Sequence, residues 1–226
     1  MSVKKGLIKK DLYNLSSYKT SLIIVFICMC ILGTSNSTMM NYIPIIMATM
    51  SGMIALSTFS YDEIAKSNTY VLTLPTNKKE VIISKYILVI SISLVGAIIG
   101  FLITPIIIQV MNAIKQENLL SVDWNDLLIT TLGSIFGIAL IESIQIPSIY
   151  KWGPEKGRIQ MFILIFILIL IIAGAAYLFI QAGFSEYLNA IETFLQSFGI
   201  PLLLIVTITL YYISYKVSCR IYLKQD

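Results

Sequence analysis

The segment from Ile159 to Ile180 contains an almost unbroken run of Ile, Leu and Phe. A segment of about 20 apolar residues matches the roughly 30 Å of hydrocarbon in a bilayer. Such a run lacks the alternation of a barrel strand, so the only backbone that satisfies its own hydrogen bonds there is a helix. Five further apolar segments accompany it: Ser21 to Leu32, about Tyr42 to Phe59, about Tyr86 to Val110, about Leu127 to Ile149, and about Ile200 to Val217. The first is short and is extended by Ser and Thr on both sides. The third contains Gly96, Gly100 and Pro105, and the fourth has Pro147 near its end. Composition agrees: 57% of the 226 residues are apolar and 12% charged, about half the charge of a soluble domain. An all-α polytopic membrane protein with six transmembrane helices and short loops is expected.

The scarce charge sets the orientation. Lys4, Lys5, Lys9, Lys10 and Lys19 precede the first span, and Lys66, Lys78, Lys79 and Lys85 follow the second. Lys151, Lys156 and Arg158 follow the fourth, and Lys216, Arg220 and Lys224 end the chain. Of the 16 basic residues only Lys115 falls on the other side, which carries Glu117, Asp123, Asp126, Glu186 and Glu192. By the positive-inside rule both termini are cytoplasmic. Residues 33–37, Gly-Thr-Ser-Asn-Ser, contain no A-x-A-like cleavage site, so the first segment is expected to remain in the mature chain.

The aqueous segments are small. Residues 1–19 place Val3, Leu7, Ile8, Leu12 and Leu15 within about half a helix's circumference, with Lys4 and Asp11 intruding. This suits an amphipathic interfacial helix on the anionic inner leaflet, or a solvated basic tail that only fixes topology. On the outside, residues 182–198 carry Phe184, Leu188, Ile191, Leu195 and Phe198 on one helical seam, with Ser185 able to cap its start. An outer hairpin bearing this helix could lid a pathway or rest on the bilayer.

Catalytic chemistry has little to work with. The chain contains no His, which removes His bases, Ser-His and Cys-His pairs, and His-bound metals. Cys28, Cys30 and Cys219 form neither a CxxC motif nor a disulfide framework and read as small buried hydrophobes. No P-loop is present; residues 153–157, Gly-Pro-Glu-Lys-Gly, lack its strand-loop-helix context. Glu142 is the ionisable residue deepest in a span, about 13 Å from the boundary marked by Lys151. Gln145 shares its face, and Gln109 lies near the outer end of the third span. The three suit a polar translocation path; Glu142 also suits a helix–helix hydrogen bond or a protonated acid near the interface.

The first inner loop, residues 60–85, runs from Asp62-Glu63 through Leu72-Thr73-Leu74-Pro75 to Lys78-Lys79-Glu80 and Lys85-Tyr86. The second, residues 150–158, follows Pro147 as Tyr-Lys-Trp-Gly-Pro-Glu-Lys-Gly-Arg. Together these resemble the inner loops of type-2 ABC-transporter permeases. They are most similar to a small bacterial subfamily that includes the exporter permeases for phenol-soluble modulins, with Trp152 where that subfamily carries Phe. The resemblance implies a single permease domain, 1–226, and a separate nucleotide-binding ATPase subunit that holds the ATP and Mg. It also implies a second permease copy, identical or a sister, and an amphipathic peptide substrate. It places the ATPase contacts at Asp62, Glu63, Leu72, Leu74 and Pro75, with Gly153, Glu155, Lys156 and Gly157 as the lesser contact. Taken singly, each residue also suits an ordinary membrane-entry turn. The expected function is therefore an ATP-driven exporter subunit in a bacterial cytoplasmic membrane, without an ATPase site of its own and without a nucleic-acid partner. The alternative is a membrane-bound immunity or sensor protein that binds antimicrobial peptides or lipophilic antibiotics without pumping.

Overall fold

A computed structural model describes residues 3–15, 20, 23–24, 40–65, 77–115, 122–181 and 185–224. The first predicted span lies almost wholly outside the described residues, as do Leu72, Leu74 and Pro75. Among the described residues six helices follow one another: α1 (Val3–Leu15), α2 (Ile43–Ile64), α3 (Lys78–Lys115), α4 (Trp124–Trp152), α5 (Pro154–Gln181) and α6 (Ser185–Leu223). No strand occurs among the described residues. Four stretches within them, Ile43–Ile64, Lys78–Ala113, Trp124–Trp152 and Gly199–Leu223, are long and apolar enough to cross a membrane. Helix α5 covers the fifth apolar run and leaves Phe162, Ile163, Phe166 and Leu170 exposed, as a helix in lipid contact would.

The helices are longer than their apolar segments. Helix α3 begins at Lys78, so Lys85 is not a solvated loop cation; it is a buried residue two turns into a helix. Of the seam predicted at 182–198, residues 182–184 lie outside the described residues; from Ser185 on it is not a separate hairpin helix but the first part of α6, which runs 39 residues through Pro201, about 58 Å of rise. The loop between α4 and α5 contracts to Gly153 alone. Its φ of +84° is one that an L side chain rarely adopts, and Pro154 opens the next helix with a preset φ. At the other end of α4, Asp123 caps the helix by accepting from the backbone N–H groups of Asn125 (3.0 Å) and Asp126 (3.3 Å).

Helix α2 packs most extensively on α3, and glycine makes the approach close. A Cβ at Gly96 would lie 1.9 Å from Ser51 Oγ and 2.7 Å from the Met47 carbonyl; one at Gly100 would lie 2.6 Å from Pro44 Cα. Gly96 and Gly100 form a G-x-x-x-G pair, the small-residue seam that lets membrane helices touch backbone to backbone. The largest hydrophobic cluster sits where α2, α3, α4 and α6 meet, around Leu56, Phe59, Ile82, Val89, Ile146 and Tyr222. Within the spans most Ser and Thr hydroxyls return to their own helix. Ser51 donates to Ala48 O, Thr58 to Ala55 O, Thr104 to Gly100 O and Thr131 to Leu127 O, which satisfies them locally.

Gly96→Ala is expected to lower stability by about 1–3 kcal/mol through overpacking, seen as an earlier thermal unfolding transition in detergent. Gly133→Ala, with nothing within 4 Å of the new Cβ, is expected to leave that transition in place or raise it.

Candidate functional site

Two polar constellations stand out, at different depths. The first is at the basal end of the bundle, where α1, the end of α2, the start of α3 and the α4–α5 turn meet. Lys10 and Asp11 of α1, Asp62 of α2 and Lys85 of α3 form a ring of ion pairs. Lys10 Nζ lies 2.6 Å from Asp62 Oδ1 and 3.5 Å from Asp11 Oδ1; Lys85 Nζ lies 2.9 Å from Asp11 Oδ2 and 2.5 Å from Asp62 Oδ2. Two cations and two anions leave the ring neutral, which is how a membrane protein carries charge inward at tolerable cost. Burial alone would lower the Lys10 pKa, but its hydrogen bond to Asp62 and the charges of Asp62 and Asp11 hold it above its usual value.

The residue that spoils the apolar arc of α1, Asp11, is thus the one that docks the helix: it is 1% exposed, and Leu7 packs beside it on Val81. Leu12 and Tyr13 remain exposed on the other side. Under the ring, Lys85 Nζ stands 5.2 Å from the centre of the Phe59 ring, a cation–π contact. Phe59 meets Tyr150 edge-on at 5.5 Å, and Tyr150 meets Tyr222 at 5.4 Å.

Beside this aromatic stack opens a cavity of about 300 Å³ lined by Asp62, Glu63, Lys85, Lys151, Trp152 and Gly153 among others. Glu63 is exposed, and a Cβ placed on Gly153 would lie 3.4 Å from its Oε1. The ends of both predicted contact loops therefore meet at one place. Glu155 and Lys156 are exposed on the first turn of α5. Gly157 is buried against Ile149, where a Cβ would come 3.1 Å from that residue's backbone N. Arg158 donates to Ser60 Oγ at 3.2 Å and ties α5 to α2. Asp62 is buried within the ring, so its carboxylate faces α1 and α3.

The second constellation lies deeper. Glu142 of α4 is fully buried. Ser93 of α3 donates to its Oε1, and Tyr211 of α6 donates to its Oε2 at 2.7 Å. Gly52 of α2 makes room: a Cβ there would lie 2.8 Å from Glu142 Oε1. The carboxyl is thus both a bridge between three helices and part of the wall of a cavity of about 270 Å³. Gln145, also buried, lines a different cavity with Met50, Ser57 and Arg158. Gln109 is exposed, 16 residues beyond Ser93 on α3, about 24 Å along the helix. The three predicted path residues therefore do not share one chamber. Sequence reading missed Ser93 and Tyr211; Ser93 sits three residues before Gly96 on the helix that carries the small-residue seam, which is the signal that was there.

No group of three His, Cys, Asp or Glu that could hold a metal ion occurs among the described residues. Lys85→Met leaves Asp11 and Asp62 sharing Lys10, so a loss of about 3–5 kcal/mol is expected from the uncompensated buried charge. Asp11→Leu added to Lys85→Met should recover part of that loss, because Asp62 then keeps Lys10. Unfolding monitored by intrinsic fluorescence in detergent distinguishes this from simple additivity.

A family model described as an ABC-2 family transporter protein matches residues 6–223. No curated protein and no solved structure matches the chain. The match spans nearly the whole chain, from α1 with its docking pair to the end of α6, and the chain belongs to the ABC-2 transporter family.

Proposed function

We propose that the chain is the permease subunit of an ATP-driven exporter that moves amphipathic peptides out of a bacterial cell. Family membership supports a membrane transport subunit and implies an ATPase partner and a dimer. In this reading the chain crosses the cytoplasmic membrane six times, with both termini inside. The basal end faces the cytoplasm, and the ATPase seats on the exposed remainder of the two inner loops.

The observation that carries the coupling role is the meeting of Glu63 with Gly153 at one end of the bundle. A force applied at either loop reaches both the α2 end and the α4–α5 turn. The ion-pair ring then spreads it to α1 and α3. Asp62 is assigned to this internal relay and Glu63 to the docking face, because only the second presents its carboxylate outward. Leu72, Leu74 and Pro75 are assigned to the same docking role, as are Glu155 and Lys156, which are exposed. A Pro after an apolar pair gives a defined turn suited to transmitting a rigid push. ATP and Mg belong to the partner subunit.

Co-expression with the cognate ATPase is expected to yield a complex that survives purification and hydrolyses ATP. Glu63→Arg combined with Leu74→Asp should lower both co-purification and turnover by about tenfold or more, the effect of losing about 1.4 kcal/mol of docking energy, with unfolding of the isolated permease unchanged. An intact complex with unchanged turnover in that variant contradicts the assignment.

A further inference from the structure

The chamber walled by α3, α4 and α6 is apolar except at one point and at Thr207, whose hydroxyl donates to Leu203 O of its own helix. Its sides are Ile90, Leu94, Ile135, Phe136, Ile138 and Ile208, and its polar end is formed by Glu142 with Ser93 and Tyr211. At about 270 Å³ it admits one extended aliphatic chain but not a helix, which is about 10–12 Å across with side chains. Leu94 and Ile208 on its wall are exposed.

Glu142 has acceptor capacity to spare. A carboxylate offers about four acceptor positions, and the two hydrogen bonds described, from Ser93 and Tyr211, use two of them. The contrast with the other buried acids is sharp. Asp11 and Asp62 are each ion-paired with both Lys10 and Lys85. Among the described residues no ion pair involves Glu142, the one acid set deep in a span. A buried carboxylate without a cation is expensive at this depth, and a chamber that leads to it supplies a route by which a cation can arrive.

We propose that this chamber is a binding site for the protonated amine end of an aliphatic chain. The ammonium pairs with Glu142 while the methylenes lie along the Ile, Leu and Phe walls. Two molecules present that chemistry: a free long-chain amine, and a lysine side chain, whose apolar stem carries a charged head. Identifying the occupant as a lysine of an exported peptide rests on the export reading above; the amine site itself does not.

The test uses the full chain in lipid nanodiscs, with Cys28, Cys30 and Cys219 replaced by Ala and Leu94→Cys introduced at the chamber wall. The rate of modification of that thiol by N-ethylmaleimide is followed in the presence of n-octylamine or n-octanol. Octylamine is expected to protect at about tenfold lower concentration than octanol, and Glu142→Gln, which keeps the hydrogen-bonding shape, to abolish the difference. Equal protection by amine and alcohol in the chain that retains Glu142 overturns the proposal without recourse to any Glu142 variant. So does a preference that survives Glu142→Gln. A second arm compares an amphipathic helical peptide carrying one lysine with its norleucine counterpart. Preferential protection by the lysine peptide identifies the peptide as the occupant. Protection by octylamine with no lysine preference among peptides upholds the amine site and counts against peptide export.

Discussion

Everything at the basal end depends on a neutral ring of four charges, three of them buried and Lys10 half-exposed. Lys10, Asp11, Asp62 and Lys85 come from three helices, and none could be buried alone without a cost of several kcal/mol. Each is therefore held by the two of opposite sign. The ring docks α1 onto the bundle, fixes the end of α2 against the start of α3, and rests on the Phe59–Tyr150–Tyr222 stack that continues into α4 and α6. Hydrophobic packing cannot give this specificity in a membrane, because lipid tails solvate a helix as well as another helix does.

Higher in the bundle the same problem is met by closeness. Gly96 and Gly100 bring α3 onto the backbone of α2, and Gly52 lets Glu142 sit where α2, α3 and α4 converge. Most hydroxyls in the spans are satisfied by carbonyls of their own helix and bind nothing across it. Tyr86 is different: its hydroxyl shares hydrogen bonds with Ser214 at 2.6 Å and Ser218 at 2.8 Å, and so links α3 to α6. Glu142, Ser93 and Tyr211 add a second set of interhelical hydrogen bonds on the faces of α3, α4 and α6.

The membrane character of the chain and the position of its long helices were legible because twenty apolar residues in a row admit one backbone. Helix ends were less so. Apolar length reports where lipid begins, whereas Lys78 to Lys85 and Ser185 to Phe198 continue their helices beyond that point. Asp11 looked like a flaw in an amphipathic arc because a single-helix pattern assumes that the buried face is apolar. The partner that makes a buried Asp affordable, Lys85, lies 74 positions away and was legible only as a loop charge. Periodicity cannot show such a pairing. Gln109, Glu142 and Gln145 shared a polar character but not a place, since helix contacts decide which faces line one chamber.

The coupling proposed for this transport subunit is that its basal end turns ATP hydrolysis in a partner into movement of a cargo. The most direct measurement is uptake of a fluorescent amphipathic peptide into inside-out vesicles that contain the permease with its ATPase. Uptake is predicted to require ATP and both subunits, and to stop when the Walker lysine of the ATPase is replaced. Peptide protection of cells that persists with that inactive ATPase, without uptake in the vesicles, would contradict export and favour a protein that binds peptide without pumping it.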